Sequence, residues 1–101
     1  MNKEYIDELK GEVTSAPMIE DNLKERYRIK ILGRGEELFY FDKKKNIAVI
    51  VEIQVRNGSV FKTSIQRWDD GTRIDDSEKE IILKRIVKYF QCFQKIEAVV
   101  R

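Results

Sequence analysis

Residues 47–56 constrain the fold more than any other part of the chain. Ile47, Val49, Val51, Ile53 and Val55 share one parity, and Ala48, Ile50, Glu52, Gln54 and Arg56 the other. Successive side chains of a strand point to opposite faces, so this spacing predicts a long strand with one strongly apolar face. Asn57-Gly58 follows, two residues suited to the positive φ angles of a type I′ turn, and residues 60–68 are expected to run back as the hairpin partner.

Two further strands precede this hairpin. Tyr27, Ile29 and Ile31 alternate with Arg28 and Lys30 as far as the turn Gly33-Arg34-Gly35. Residues 38–42 are short and aromatic, and the polar turn 43–46 closes them. After residues 69–72 the period changes. Ser77-Glu78-Lys79-Glu80 has capping-box spacing, with Ser77 expected to cap Glu80, and Ile82, Ile86, Tyr89, Phe90 and Phe93 recur at intervals of three and four. That stripe predicts a long helix lying across the sheet, with Lys84, Arg85 and Lys88 on its wet side. Residues 96–100 suit either a last edge strand, the preferred reading, or the end of the helix.

The expected fold is α+β: an antiparallel sheet of about four strands with a long C-terminal helix packed on one face. Residues 1–24 read as a leader. In it Tyr5, Ile6 and Leu9 fall at helical spacing, giving a short amphipathic helix before the loop that holds Pro17, the only proline. A chain of 101 residues is too short for two independent cores, so residues 1–101 form one domain. The chain has no stretch of signal-peptide or membrane-spanning length, which points to a cytoplasmic protein with no membrane partner.

The chemistry the chain lacks narrows its function. It has no histidine, so Ser-His-Asp and Cys-His arrangements are impossible, and Cys92, the only cysteine, can make neither an internal disulfide nor a multi-cysteine zinc site. Residues 69–80 span the length of a calcium loop but fail inside it: Gly71 and Arg73 stand where oxygen ligands are needed, and Ile74 stands where glycine is required. Gly33-Arg34-Gly35 precedes a strand and so offers no helix N-terminus to a phosphate. No enzyme activity, metal or cofactor is expected.

Binding is the remaining class. Phe39, Tyr40 and Phe41 stand just before Lys43-Lys44-Lys45, a pattern that can grip single-stranded nucleic acid. Alternation sends part of that aromatic group to the core, and the 20 basic residues barely exceed the 18 acidic ones, so nucleic acid is the weaker partner class. Acid concentrates instead in Asp69, Asp70, Asp75, Asp76, Glu78 and Glu80, directly after Trp68. The tryptophan suits a cover for the core edge under the helix, or an anchor for a partner.

The segments Thr63-Ser64-Ile65-Gln66-Arg67-Trp68-Asp69-Asp70-Gly71, Ile74-Asp75-Asp76-Ser77-Glu78-Lys79 and Ile82-Leu83-Lys84-Arg85-Ile86 resemble small bacterial immunity proteins of polymorphic-toxin and contact-dependent growth inhibition systems. In those proteins a strand ends in Ser-Ile-x-x-Trp, an acidic turn follows, and a C-terminal helix opens with acidic residues. The resemblance spans residues 38–93; the proline expected after the tryptophan is absent. It implies a protein that binds a cognate toxin domain, often a nuclease, and blocks its active site or substrate path. The implied contact residues are Trp68, Asp69, Asp70, Asp75, Asp76, Glu78 and Glu80. A formal charge of +2 argues against a purely electrostatic mimic.

Overall fold

The computed structural model describes residues 19–20 and 25–101; the helix expected in the leader and the loop at Pro17 lie outside them. The elements in chain order are β1 (Ile19–Glu20), β2 (Arg26–Leu32), β3 (Glu37–Asp42), β4 (Ile47–Gln54), β5 (Ser59–Val60), α1 (Asp76–Tyr89) and β6 (Val99–Val100). The strands form one sheet in the order β1-β2-β3-β4-β5-β6. The fold is α+β, with one α-helix, C-terminal to the sheet's long strands, among the described residues, as the hydrophobic periods imply.

β2, β3 and β4 carry the sheet. Tyr40 sits opposite Ile29 on one side and Val49 on the other, and Leu38 opposite Ile31 and Val51, so one parity of all three strands forms a continuous apolar face. Ile82 and Ile86 of α1 and Phe90 just beyond its end, spaced four apart, close over it together with Ile53, Val60, Ile65, Trp68 and Ile74. Each such aliphatic side chain contributes about 1.5–3 kcal/mol by leaving water. The opposite parity is buried too. Leu32, Phe39, Phe41 and Ala48 form a second cluster, which explains why β3 reads as an unbroken apolar run rather than a clean alternation.

The structure corrects four expectations. The sheet has six strands rather than about four, and it is mixed, because β6 pairs parallel to β5. A helical crossover between them returns the chain in the same direction, whereas a tight turn would have reversed it. The type I′ turn is absent as well. Residues Val55–Asn57 form a 3₁₀ turn, only Gly58 has a positive φ (71°), and the Asn57 side chain ties Gln54 Oε1 to the Ser59 amide. The return strand is therefore just two residues long, after which the chain leaves the ladder through a second 3₁₀ turn at Lys62–Ser64.

The third correction is the cap. Asp75 caps α1: its side chain accepts from the Glu78 amide at 2.8 Å, and Glu78 reaches back to the Asp75 amide. Ser77 lies inside the first turn. Fourth, Arg85 is buried and Phe93 is 56% exposed. α1 passes into a π-helical turn at Phe90–Gln94, which changes the angular period and rotates Phe93 off the apolar stripe.

Candidate protein-binding surface

The acidic segment begins where the chain rejoins the sheet. The amide of Asp69 donates to Ala48 O at 2.8 Å, and its carboxylate accepts from the Ala48 amide at 2.9 Å, so Asp69 completes the hydrogen bonding of β4 in the manner of a strand residue. A tight loop follows. Trp68 N donates to Thr72 O, Gly71 N to Trp68 O, and the Asp70 carboxylate accepts from the Thr72 amide at 2.8 Å. Gly71, at φ 89°, occupies the left-handed position this reversal requires. Ile74 N then bonds Gln66 O and delivers the chain to the Asp75 cap.

Each acid thus has a place. Asp69 and Asp75 satisfy backbone, Asp70 closes its own turn, and Glu80 pairs with Lys84 at 3.3 Å across one exposed helical turn. Glu78 is the hub: besides the cap, its Oε2 accepts from Trp68 Nε1 at 3.2 Å and from Lys45 Nζ at 3.4 Å. Asp76 is exposed in the first turn of α1. Asp70, Asp75, Asp76 and Glu80 are therefore exposed carboxylates along a turn and helix start in which Asp70 and Asp75 are tied by hydrogen bonds.

Trp68 does not share that exposure. It is only 5% exposed and its ring lies 6.2 Å from that of Tyr40 in the main core. It closes the core edge beneath α1 and presents no open face to a partner. The aromatic group Phe39, Tyr40 and Phe41 is likewise buried, so these three rings offer no face on which a base could stack. The basic run has also moved in space: through Lys45 and Glu78 it adjoins the acidic turn, so a phosphate backbone tracking Lys43–Lys45 would meet carboxylates.

A polar network that the sequence did not announce sits beside this surface. Arg85 Nη1 donates to the Tyr40 hydroxyl at 2.6 Å, Nη2 pairs with Glu25 at 2.8 Å, and the guanidinium lies 4.6 Å from the centre of the Tyr27 ring. Burial pushes the Tyr40 hydroxyl up to about 12, against the opposing pull of the Arg85 charge. The signal available was positional: Arg85 stands three residues from Ile82 and four from Tyr89, which puts it beside the apolar stripe.

Two clefts flank the helix start. One of about 480 Å³ is lined by Arg67, Arg73 and Lys79 as well as Asp75 and Asp76. A smaller one of about 140 Å³ lies between Trp68, Glu78, Ile81 and the Tyr40–Arg85 pair. Among the described residues no group of three or more His, Cys, Asp or Glu could hold a metal ion, and no helix is long and apolar enough to cross a membrane. Compared with protein-family models, curated proteins and solved structures, the chain matches none.

Proposed function

We propose that this protein is a cytoplasmic immunity protein that binds a cognate toxin domain, a nuclease in the first instance, and blocks its active site or substrate path. The observation that carries the reading is the run of exposed carboxylates Asp70, Asp75, Asp76 and Glu80 along a turn and helix start that the Asp70 and Asp75 hydrogen bonds tie down. A nuclease must carry basic surface to hold its substrate, and a fixed acidic patch competes for that surface and speeds encounter. Rigidity matters because ordering a flexible patch on binding would cost affinity. The overall charge of +2 makes the patch local, so apolar contacts must supply part of the affinity.

The test is direct. The domain encoded by the gene immediately upstream is purified and titrated with this protein by calorimetry, with its nuclease activity followed in parallel. Binding with a dissociation constant on the order of nanomolar, and stoichiometric loss of activity, is the expected result. A neighbouring gene with no toxin-like domain, or a domain left unbound at micromolar concentrations, overturns the proposal.

A further inference from the structure

Three of the four large hydrophobic residues that stand exposed among the described residues lie close together in the sequence: Phe93, Val99 (43%) and Val100 (40%), the fourth being Ile81. The two valines form β6, the last strand of the sheet, with β5 on one side and, among the described residues, no strand on the other. The amides of Val99 and Arg101 turn inward, to Gly58 O and Val60 O at 2.8 Å each. Strand backbone alternates, so the peptide groups of Ala98 and Val100 turn outward. An apolar edge of this kind, with neither proline nor lysine on it, is a template for another strand.

We propose that the occupant of this edge is the β6 strand of a second copy, paired antiparallel about a two-fold axis through Val99. The flanking charges choose both partner and register. Glu97 and Arg101 are spaced equally on either side of Val99. With Val99 opposite Val99 of the second copy, each Glu97 faces the other copy's Arg101, and two opposite-charge cross-strand pairs form by symmetry. Arg101 donates Nε to Ser59 Oγ at 2.8 Å, which leaves the far end of its guanidinium for the carboxylate. The same register sets Ala98 opposite Val100, the two residues whose peptide groups face outward, so the hydrogen bonding closes with no orphaned amide. A sheet running through both molecules results.

The contact is small, so the dimer is weak, with a dissociation constant on the order of 100 µM. Sedimentation equilibrium from about 10 µM to about 1 mM measures it. Glu97→Arg sets like charges opposite each other twice and weakens association about tenfold or more; Glu97→Arg with Arg101→Glu restores it. Val100→Pro removes only an outward amide and abolishes the dimer while circular dichroism stays unchanged. In a Cys92→Ser background, Val99→Cys gives an oxidised dimer, because directly opposed residues of this pair type lie about 4.5 Å apart at Cα, within disulfide reach. A chain that stays monomeric at about 1 mM, or a dimer that ignores Glu97→Arg, overturns the proposal, and neither result bears on toxin binding.

Discussion

Tyr40→Phe and Arg85→Met, made singly and together, probe the buried network directly. Tyr40 is 1% exposed and Arg85 8%, and the bond between them is 2.6 Å long. A hydrogen bond to a charged group contributes about 1.5–3 kcal/mol, so Tyr40→Phe should cost about that much. Arg85→Met loses the same bond and leaves a buried hydroxyl without it. It also loses the contact with the Tyr27 ring, worth about 0.5–2 kcal/mol, and a pair with Glu25 that is small because that carboxylate is 38% exposed. About 2–4 kcal/mol is expected for that variant. The shared bond is counted in both single variants, so their sum should exceed the double variant by about that bond, about 1.5–3 kcal/mol. Urea melts at pH 7 measure all four proteins, and each kcal/mol should also move the thermal midpoint by about 4–8 °C. Single variants that add to within about 0.5 kcal/mol would show that the two groups do not hold each other, and the reasoning fails.

Three shorter predictions follow. The Tyr40 hydroxyl, pushed up to about 12 from an ordinary 10.0, favours its protonated form in the fold. Its contribution to stability is therefore complete below about pH 10 and is lost as pH rises through about 12; absorbance at 295 nm should show a tyrosine step near pH 12 that Tyr40→Phe removes. Gly58→Ala should cost about 2–4 kcal/mol, because φ is 71° and the added Cβ would run into the Glu97 carbonyl, whereas Gly71→Ala, at φ 89° in open space, should cost about 1 kcal/mol; equal costs in denaturant melts would refute the packing argument. Asp75→Ala should cost about 1 kcal/mol and Ser77→Ala close to nothing, a reversed order in the same assay placing the cap at Ser77 instead.

β2 and β4 were legible because apolar residues recur at period two, β3 because a short aromatic run lies between two turns, and α1 because Ile82 and Ile86, followed by Phe90 just beyond it, repeat one per turn. What escaped depended on contacts distant in sequence. Asn57-Gly58 has the composition of a tight turn, but Gly58 packs against the backbone of Glu97, nearly forty residues on, and that contact selects a longer loop. Asp75 and Ser77 each have a glutamate three residues later. The first pair wins because Glu78 is also held by Trp68 and Lys45. Arg85 looked like one more lysine-face residue until Tyr40 and Glu25, from other elements, were placed around it. The acidic segment was legible as composition, but not the structural task of each acid.

That division of labour decides which substitutions can test the proposed function. Asp69 bonds β4, Asp75 caps α1 and Glu78 joins cap, tryptophan and lysine, so changing any of them perturbs the fold before it perturbs a partner. Asp76 and Glu80 lie exposed on α1, and the only contact described for either is the surface pair of Glu80 with Lys84. Asp76→Asn with Glu80→Gln should therefore keep stability within about 1 kcal/mol of the wild type, the loss being the attraction of Asp76 to the helix N-terminus and of Glu80 to Lys84. If the patch steers a basic toxin domain, the same variant should slow association about tenfold or more at low salt, with the difference shrinking as salt screens the field. Unchanged association with an unchanged fold would leave the apolar surface as the sole source of affinity and remove the acidic patch from the mechanism.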